Sequence, residues 1–343
     1  MPEPLISVVL PAHDQQGQLS SCLESILDQS FGAFEVLVVT DPSPQCPDEL
    51  PAVAADPRVT LLRLNAVVGI GRSRNAGAAR ATGRHLLFLD SDHLVEPGAF
   101  LALADRLRRL EADGDGVPDV LLFGHTRVHA GRIWPGAAAE LLAQAGPEVF
   151  VLPDRPELLG APALCWDRLI SRRLWTEQDL AFPEGCYEEV PLVHRAMLTA
   201  GRLAVLDREL VQLRRRETLH PAGSPGSSRF DLFDQYERSF ELLDGHAESE
   251  AARSFLFTRM VRHYLFVFDL AGCVPRAARP QFFHCAAEHY QRWVPAGYRR
   301  PGGREGVKFS LLAGGSYSAF ELAKLSQIAR TAVTGLTNRG SAA

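Results

Sequence analysis

Lysine is almost absent from this chain of 343 residues: Lys308 and Lys324 are the only two, and arginine carries the remaining positive charge. No basic excess accompanies the arginines. The net charge of −5 excludes a general nucleic-acid binder, because such domains carry a marked basic surplus. Cysteine is sparse and unpaired. Cys22, Cys46, Cys165, Cys186, Cys273 and Cys285 are scattered with no CxxC spacing, which fits neither a zinc site nor a secreted disulfide framework. Long apolar runs are missing too. The opening MPEPLISVVLPAHD lacks the basic start and apolar core of a signal peptide. The most apolar late stretch, 254–272, is broken by Arg259, Arg262, His263 and Asp269, so it does not read as a bilayer span. These absences predict a reduced, cytoplasmic protein. GIGRSRNAG at 69–77 lacks the GxGxxG spacing of a dinucleotide loop, which argues against a dehydrogenase.

What remains is ordinary globular material. Apolar residues make up 46% and charged residues 22%, close to the average for folded soluble chains, and the length predicts more than one domain. Three apolar runs, Ile6–Leu10, Phe34–Val39 and His85–Leu89, read as strands buried on both faces of a parallel sheet. A weaker strand is predicted at Val59–Leu64. Helical spacing of Leu19, Cys22, Leu23, Ile26 and Leu27 predicts a helix over 18–29, and the alanine-rich 70–82 predicts another. Further helices are expected at 98–112 and 188–200, with a strand at Val120–Gly124 and mostly helix after about 225. Alternation of strand and helix predicts an α/β fold with an open, doubly wound sheet. Ligands of such sheets bind at the carboxyl ends of the strands, which here carry PAHD, TDPSP and DSDH.

Asp90-Ser91-Asp92 is the strongest chemical signal. Strand residues two apart project to one face, so both carboxylates can meet where the apolar run LLFL ends. Hard oxygen ligands of this kind suit Mg²⁺ or Mn²⁺ bound together with substrate phosphates. Glu188-Glu189 reads from composition alone as the acidic start of a helix. Arg214–Arg216 reads as an exposed basic run, and Arg72 and Arg74 as surface arginines of a helix.

ISVVLPAHD, SSCLESILDQS, FEVLVVTDPSP and GRSRNAGAARATGRHLLFLDSD, in that order, resemble the donor half of the family 2 glycosyltransferases. FPEGCYEEVPLVHRAM at 182–197 resembles the segment in which that family holds its catalytic base. Weaker similarity continues through LDRELVQLRRRETLH and FDLFDQYERSF, as in the glycosyltransferase modules of bacterial teichoic-acid and capsule enzymes and of actinobacterial glycerophosphotransferase-like proteins. The resemblance implies a GT-A fold, a Rossmann-like, mostly parallel central sheet with flanking helices, over residues 1–220. A helical C-terminal region would fill 221–335, and 336–343 would be a disordered tail.

The resemblance also implies roles. Pro11, His13 and Asp14 would form the first nucleotide-contacting loop, and Asp41 would meet the pyrimidine edge. Arg72 and Asn75 would border the base and ribose. Asp90 and Ser91 would lie on the donor, Asp90 and Asp92 on the metal. Arg215, Arg216 and Thr218 would lie near the leaving diphosphate. The base would be Glu189 or its neighbour Glu188. The implied reaction is inverting transfer of a sugar from a nucleotide-diphosphate donor, UDP-linked, with Mn²⁺ or Mg²⁺. The acceptor hydroxyl would belong to a cell-envelope glycan, a lipid-linked glycan or a small molecule. The chain departs from the family pattern at Asp14, Gln16, Thr40, Pro42, Glu189 and His93, which leaves open a non-catalytic module that only binds nucleotide or glycan. The basic, Gly- and Pro-rich stretch 292–308 is a candidate for peripheral contact with an anionic membrane.

Overall fold

A computed structural model describes residues 3–12, 18–42, 55–129, 131–214, 226–244 and 250–323. His13, Asp14, Gln16, Arg215, Arg216, Thr218 and the tail 336–343 lie outside the described residues. The chain forms two compact units, one of residues 1–219 and 234–255, the other of residues 220–233 and 256–343.

The first unit is built on a nine-stranded sheet. Strands β1 (Ile6–Pro11), β2 (Phe34–Thr40), β3 (Val59–Arg63) and β4 (His85–Phe88) lie in the order β3-β2-β1-β4 and run parallel. Every residue of β1 and β4 is buried, as expected for strands covered on both faces. The sheet continues through β5 (His93–Val95), β6 (Val120–His129), β7 (Arg132–Pro135), β8 (Arg168–Ser171) and β9 (Leu203–Arg214). Its order beyond β4 is β8-β6-β9-β5, and β7 pairs β6 as an antiparallel hairpin. Because β8 is antiparallel to both β4 and β6, and β9 is parallel to β6, six strands run one way and β5, β7 and β8 the other. The predicted strand at Val120–Gly124 is thus the first half of a longer one, bent by irregular register at Phe123–His125. A bend of this kind re-aims a strand.

Helices flank this sheet: α1 (Leu19–Leu27), α2 (Ile70–Ala78), α3 (Ala99–Ala112), α4 (Ala139–Ala145), α5 (Arg172–Glu177) and α6 (Glu189–Thr199). Helix α1 buries Leu19, Cys22, Leu23, Ile26 and Leu27, the single apolar stripe its spacing predicts. Helix α2 is different. Its buried face is Gly71, Ser73, Arg74, Gly77 and Ala78, so it approaches the sheet through small residues. A Cβ on Gly77 would lie 2.5 Å from Val9 Cγ1 and 3.2 Å from Val39 Cγ2. Helix α7 (Asp231–Asp244) gives most of its length to this unit. Its Ser239 bonds His194 of α6 at 2.9 Å, both side chains being buried.

The second unit is helical, drawing on α8 (Glu250–Asp269), α9 (Arg279–Trp293) and α10 (Gly303–Ala313). Its core is aromatic: Phe257 meets Tyr290 at 4.9 Å, and Phe233 meets Phe282 at 4.9 Å. The aromatic stretch of α8 is therefore mainly core, with Phe257, Tyr264 and Phe268 buried and Phe266 left 60% exposed. Arg262 pairs with Glu305, and Lys308 with Asp269. Among the described residues no helix is long and apolar enough to cross a membrane, and the five described cysteines are free thiols.

Candidate active site

Register places the motifs. Pro11 of β1 stands opposite Val39 of β2, and Val9 stands opposite Phe88 of β4. The carboxyl ends of three adjacent strands thus carry Pro11-Ala12, Thr40-Asp41 and Asp90-Ser91-Asp92 to one edge of the sheet. Pro11 and Ser91 are buried. Asp41 is buried too, and its Oδ2 accepts from the backbone N–H of Val68 at 3.2 Å.

Arg74 ties this edge to a distant segment. The small-residue face of α2 lets its guanidinium reach Asp90 Oδ1 at 2.5 Å through Nη2 and Glu188 Oε1 at 2.7 Å through Nη1. It is 4% exposed and lies over the Phe182 ring at 5.2 Å. Burial alone would lower its pKa, but Asp90 and the two glutamates more than offset that, so Arg74 stays charged. The sequence expectation of a surface arginine is corrected here: single-chain periodicity gives no sign of a buried cation whose partners come from two other segments.

The segment 180–188, without helix or strand, is pinned to α2 at several points. Asn75 donates through Nδ2 to the Phe182 carbonyl and accepts through Oδ1 from the Phe182 N–H, each at 2.8 Å. Exposed Arg72 pairs with Glu184. Gly71 lets the segment close in, since a Cβ there would lie 2.9 Å from Glu188 Cγ and 3.1 Å from the Pro183 carbonyl. Tyr187 adopts φ of 61° and Gly185 φ of 98°. A left-handed non-glycine residue beside functional groups is a conformation the surroundings must enforce.

The two glutamates differ. Glu188 is buried and ion-paired with Arg74, and burial raises its pKa while Arg74 opposes the rise. Glu189, first residue of α6, stays partly accessible, and none of the ion pairs described here holds it. Burial and then the neighbouring Glu188 push its carboxyl up to about 8, the range in which a carboxylate is a useful proton acceptor near neutral pH. Cys165 lies in the same electrostatic neighbourhood, its thiol pushed upward by burial and kept protonated.

Asp90, Asp92 and His93 bring one ligand atom each within 4.8 Å of one another. His93 Nδ1 accepts the Asp90 backbone N–H at 3.0 Å, and burial lowers its pKa. The neutral ring therefore carries its proton on Nε2, which faces Asp92 Oδ1 at 3.8 Å. With Nδ1 accepting from the backbone and Nε2 protonated, the ring offers no free lone pair to a cation. The carboxylate oxygens of Asp92 and Asp90 are left as the hard donors, a set that fits Mg²⁺ or Mn²⁺ completed by phosphate oxygens. A separate cleft of about 540 Å³, lined by Arg84, His85, Asp119, Ser171 and Arg173, opens beside the amino end of β4 and gathers none of these groups.

Residues 7–119 match the family model described as glycosyl transferase family 2. Glycosyltransferase GlyG of Streptococcus pneumoniae serotype 4 is 30% identical over 244 residues, which is 66% of this chain and 75% of GlyG. The chain belongs to the family 2 glycosyltransferases. Among its relatives in this family, the succinoglycan biosynthesis protein ExoO of Rhizobium meliloti is 38% identical over 59% of the chain. The chain spans only 58% of the length of ExoO and 45% of that of YibD, an uncharacterized glycosyltransferase of Escherichia coli. The fold matches that of S. aureus TarS residues 1–349, solved with UDP-GlcNAc, with TM-score 0.65, 19% identity and coverage of 92% of this chain and 89% of that one. The architecture is thus GT-A, as the sequence resemblance implied. Sequence reasoning passed over Arg74, which joins Asp90 to Glu188, and Phe182, whose ring lies under its guanidinium.

Proposed function

We propose that this glycosyltransferase moves a sugar from a nucleotide-diphosphate donor, UDP-linked, to an acceptor hydroxyl with inversion at the anomeric carbon. The observation that carries the reading is the Asp90–Arg74–Glu188 linkage, which holds the donor-side carboxylates and leaves Glu189 unpaired beside them. Pro11, Asp41, Arg72, Asn75 and Ser91 would line the nucleotide, together with His13 and Asp14. Arg215, Arg216 and Thr218 would meet the diphosphate. Asp92, with the second oxygen of Asp90, would hold Mn²⁺ or Mg²⁺. When bound, such a cation supplies charge stabilisation to the leaving diphosphate.

The chain's own residues then divide the work. Glu189 takes the proton of the acceptor hydroxyl as its oxygen bonds to the anomeric carbon, and the electron pair of the breaking C–O bond leaves with the nucleotide diphosphate. A positioned base of this kind contributes about 10²–10⁴-fold. A single carboxylate acting opposite the leaving group implies one displacement and hence inversion, by the logic that governs inverting glycosidases. Acceptors in keeping with the relatives are cell-envelope or lipid-linked glycans. Of the stretch 292–308, exposed Arg299 and Arg304 are the residues offered for contact with anionic lipid.

The test is thermal stabilisation by UDP, other nucleoside diphosphates and their sugars, with Mn²⁺, Mg²⁺ or EDTA. A ligand at about 100 Kd adds about 2.7 kcal/mol. A cation-dependent shift with UDP, lost in Asp92→Ala, supports the reading. No shift with any nucleotide overturns it.

A further inference from the structure

Helix α7 reaches into the region of the base through one side chain. Gln235 is 1% exposed. Its Nε2 donates to the backbone carbonyl of Glu184 at 2.9 Å and lies 3.4 Å from that of Cys186. Those two carbonyls bracket Gly185 and precede Tyr187, the two residues with positive φ. Three other anchors of this segment come from α2: Asn75 on Phe182, Arg72 on Glu184 and Arg74 on Glu188. Gln235 adds a hold from α7 at the residues with left-handed backbone.

The chemistry of the contact separates positioning from packing. Gln235 Oε1 is buried and meets no donor of the protein. An apolar side chain of the same volume would avoid that unmet acceptor, so the core gains little from an amide at this place. What the amide contributes is its pair of donor hydrogens, aimed at the backbone carbonyls of Glu184 and Cys186 in a segment without helix or strand. A left-handed Tyr187 persists only while its surroundings over-determine it, and the residue two positions on is Glu189.

We propose that Gln235 is a positioning residue for the base, fixing the 184–187 turn so that α6 starts with Glu189 facing the acceptor side. This rests on the proposed role of Glu189. It also gives helix α7, which follows the sheet in sequence, a part in positioning the base.

The experiment compares Gln235→Met with Ser239→Ala in the full chain. Ser239→Ala removes the buried bond to His194 one turn further along the same helix, and so controls for a loosened α7. Donor turnover, donor KM and the pH profile of kcat are measured for both. Gln235→Met is expected to lower kcat about 10- to 100-fold with donor KM unchanged, and to move the rising limb of the profile to lower pH as Glu189 gains water. Ser239→Ala is expected to lower Tm without either effect. A Gln235→Met enzyme with wild-type kcat and profile, or one that loses UDP binding along with turnover, overturns the proposal. If Gln235→Met does not fold, Gln235→Glu keeps size and polarity while replacing the donor by a carboxylate, and carries the same expectations for kcat and donor KM. Glu189→Gln separates the two readings: if it retains wild-type turnover, the assignment of the base fails, whatever Gln235 does.

Discussion

Gly71 lies directly against Glu188. A Cβ at position 71 would stand 2.9 Å from Glu188 Cγ, with the Pro183 carbonyl at 3.1 Å and Phe182 Cβ at 3.2 Å. The helix that carries Arg74 can approach the acidic segment this closely only because the residue between them has no side chain. Gly71→Ala is therefore expected to push the segment away, costing about 1–3 kcal/mol in stability. Turnover should fall more than that loss alone would explain, since the displaced groups include Glu188 and its neighbour. Chemical denaturation and donor kinetics on the same preparation check both effects.

Arg74 offers a double-mutant test. Arg74→Met leaves Glu188 buried without its cation, and removing one partner of a buried pair costs about 3–5 kcal/mol. Glu188→Gln removes the stranded charge. The double variant is expected to be more stable than the sum of the two single losses, by a coupling within the range of about 0.5–3 kcal/mol seen for residues in contact. Additive losses in urea titrations would mean the pair is not energetically linked.

The two aspartates of the DSD turn should separate in their effects. Asp90 accepts from Arg74, whereas Asp92, 16% exposed in its side chain, faces His93 at 3.8 Å. Asp90→Asn is expected to destabilise the ligand-free protein by about 1.5–3 kcal/mol, the range for a hydrogen bond to a charged group. Asp92→Asn should remove the effect of Mn²⁺ on UDP binding. Calorimetric titration of UDP with and without the cation distinguishes them.

The pH dependence follows from Glu189. Its pKa in the folded chain is raised from the model-compound value of 4.5 to about 8, so folding favours the protonated acid. The stability it contributes is complete below about 4.5 and is lost as pH rises through about 8. Activity has the opposite sign, because the base must be ionised. The rate should climb as pH rises through that value, while Tm falls over the same window. Glu189→Gln should flatten the Tm profile and be more stable than the wild type at pH of about 9.

How legible this was in sequence depended on what each element buries. Strands β1, β2 and β4 are mostly apolar and could be read directly, as could α1 with its single stripe. Strand β9 could not: LDRELVQLR mixes acids and arginines, because several of its residues are solvent-facing. Strand β8 contains Arg168, whose charge is met by the adjacent Asp167, and nothing in the order of residues announces that. Helix α2 was placed correctly in sequence, but its packing was invisible. A helix that buries glycine, serine and arginine has no apolar stripe, and Arg74 gains its meaning only from acids brought by two other segments. The DSD turn was read from two acids closing an apolar run, whereas the role of the EE pair came through resemblance. That Glu188 is the paired member and Glu189 the unpaired one came only from the folded arrangement.

The first unit is interrupted in sequence: it takes residues up to 219, skips 220–233, and resumes from 234 to 255. During synthesis, then, the sheet and both acidic motifs emerge before the piece of chain that completes their own unit. Until residues 235 and 239 have left the ribosome, the turn at 184–187 lacks its glutamine and His194 lacks its serine. A nascent chain stopped near residue 220 would carry the strand-end motifs and both acidic motifs and still lack part of its own unit.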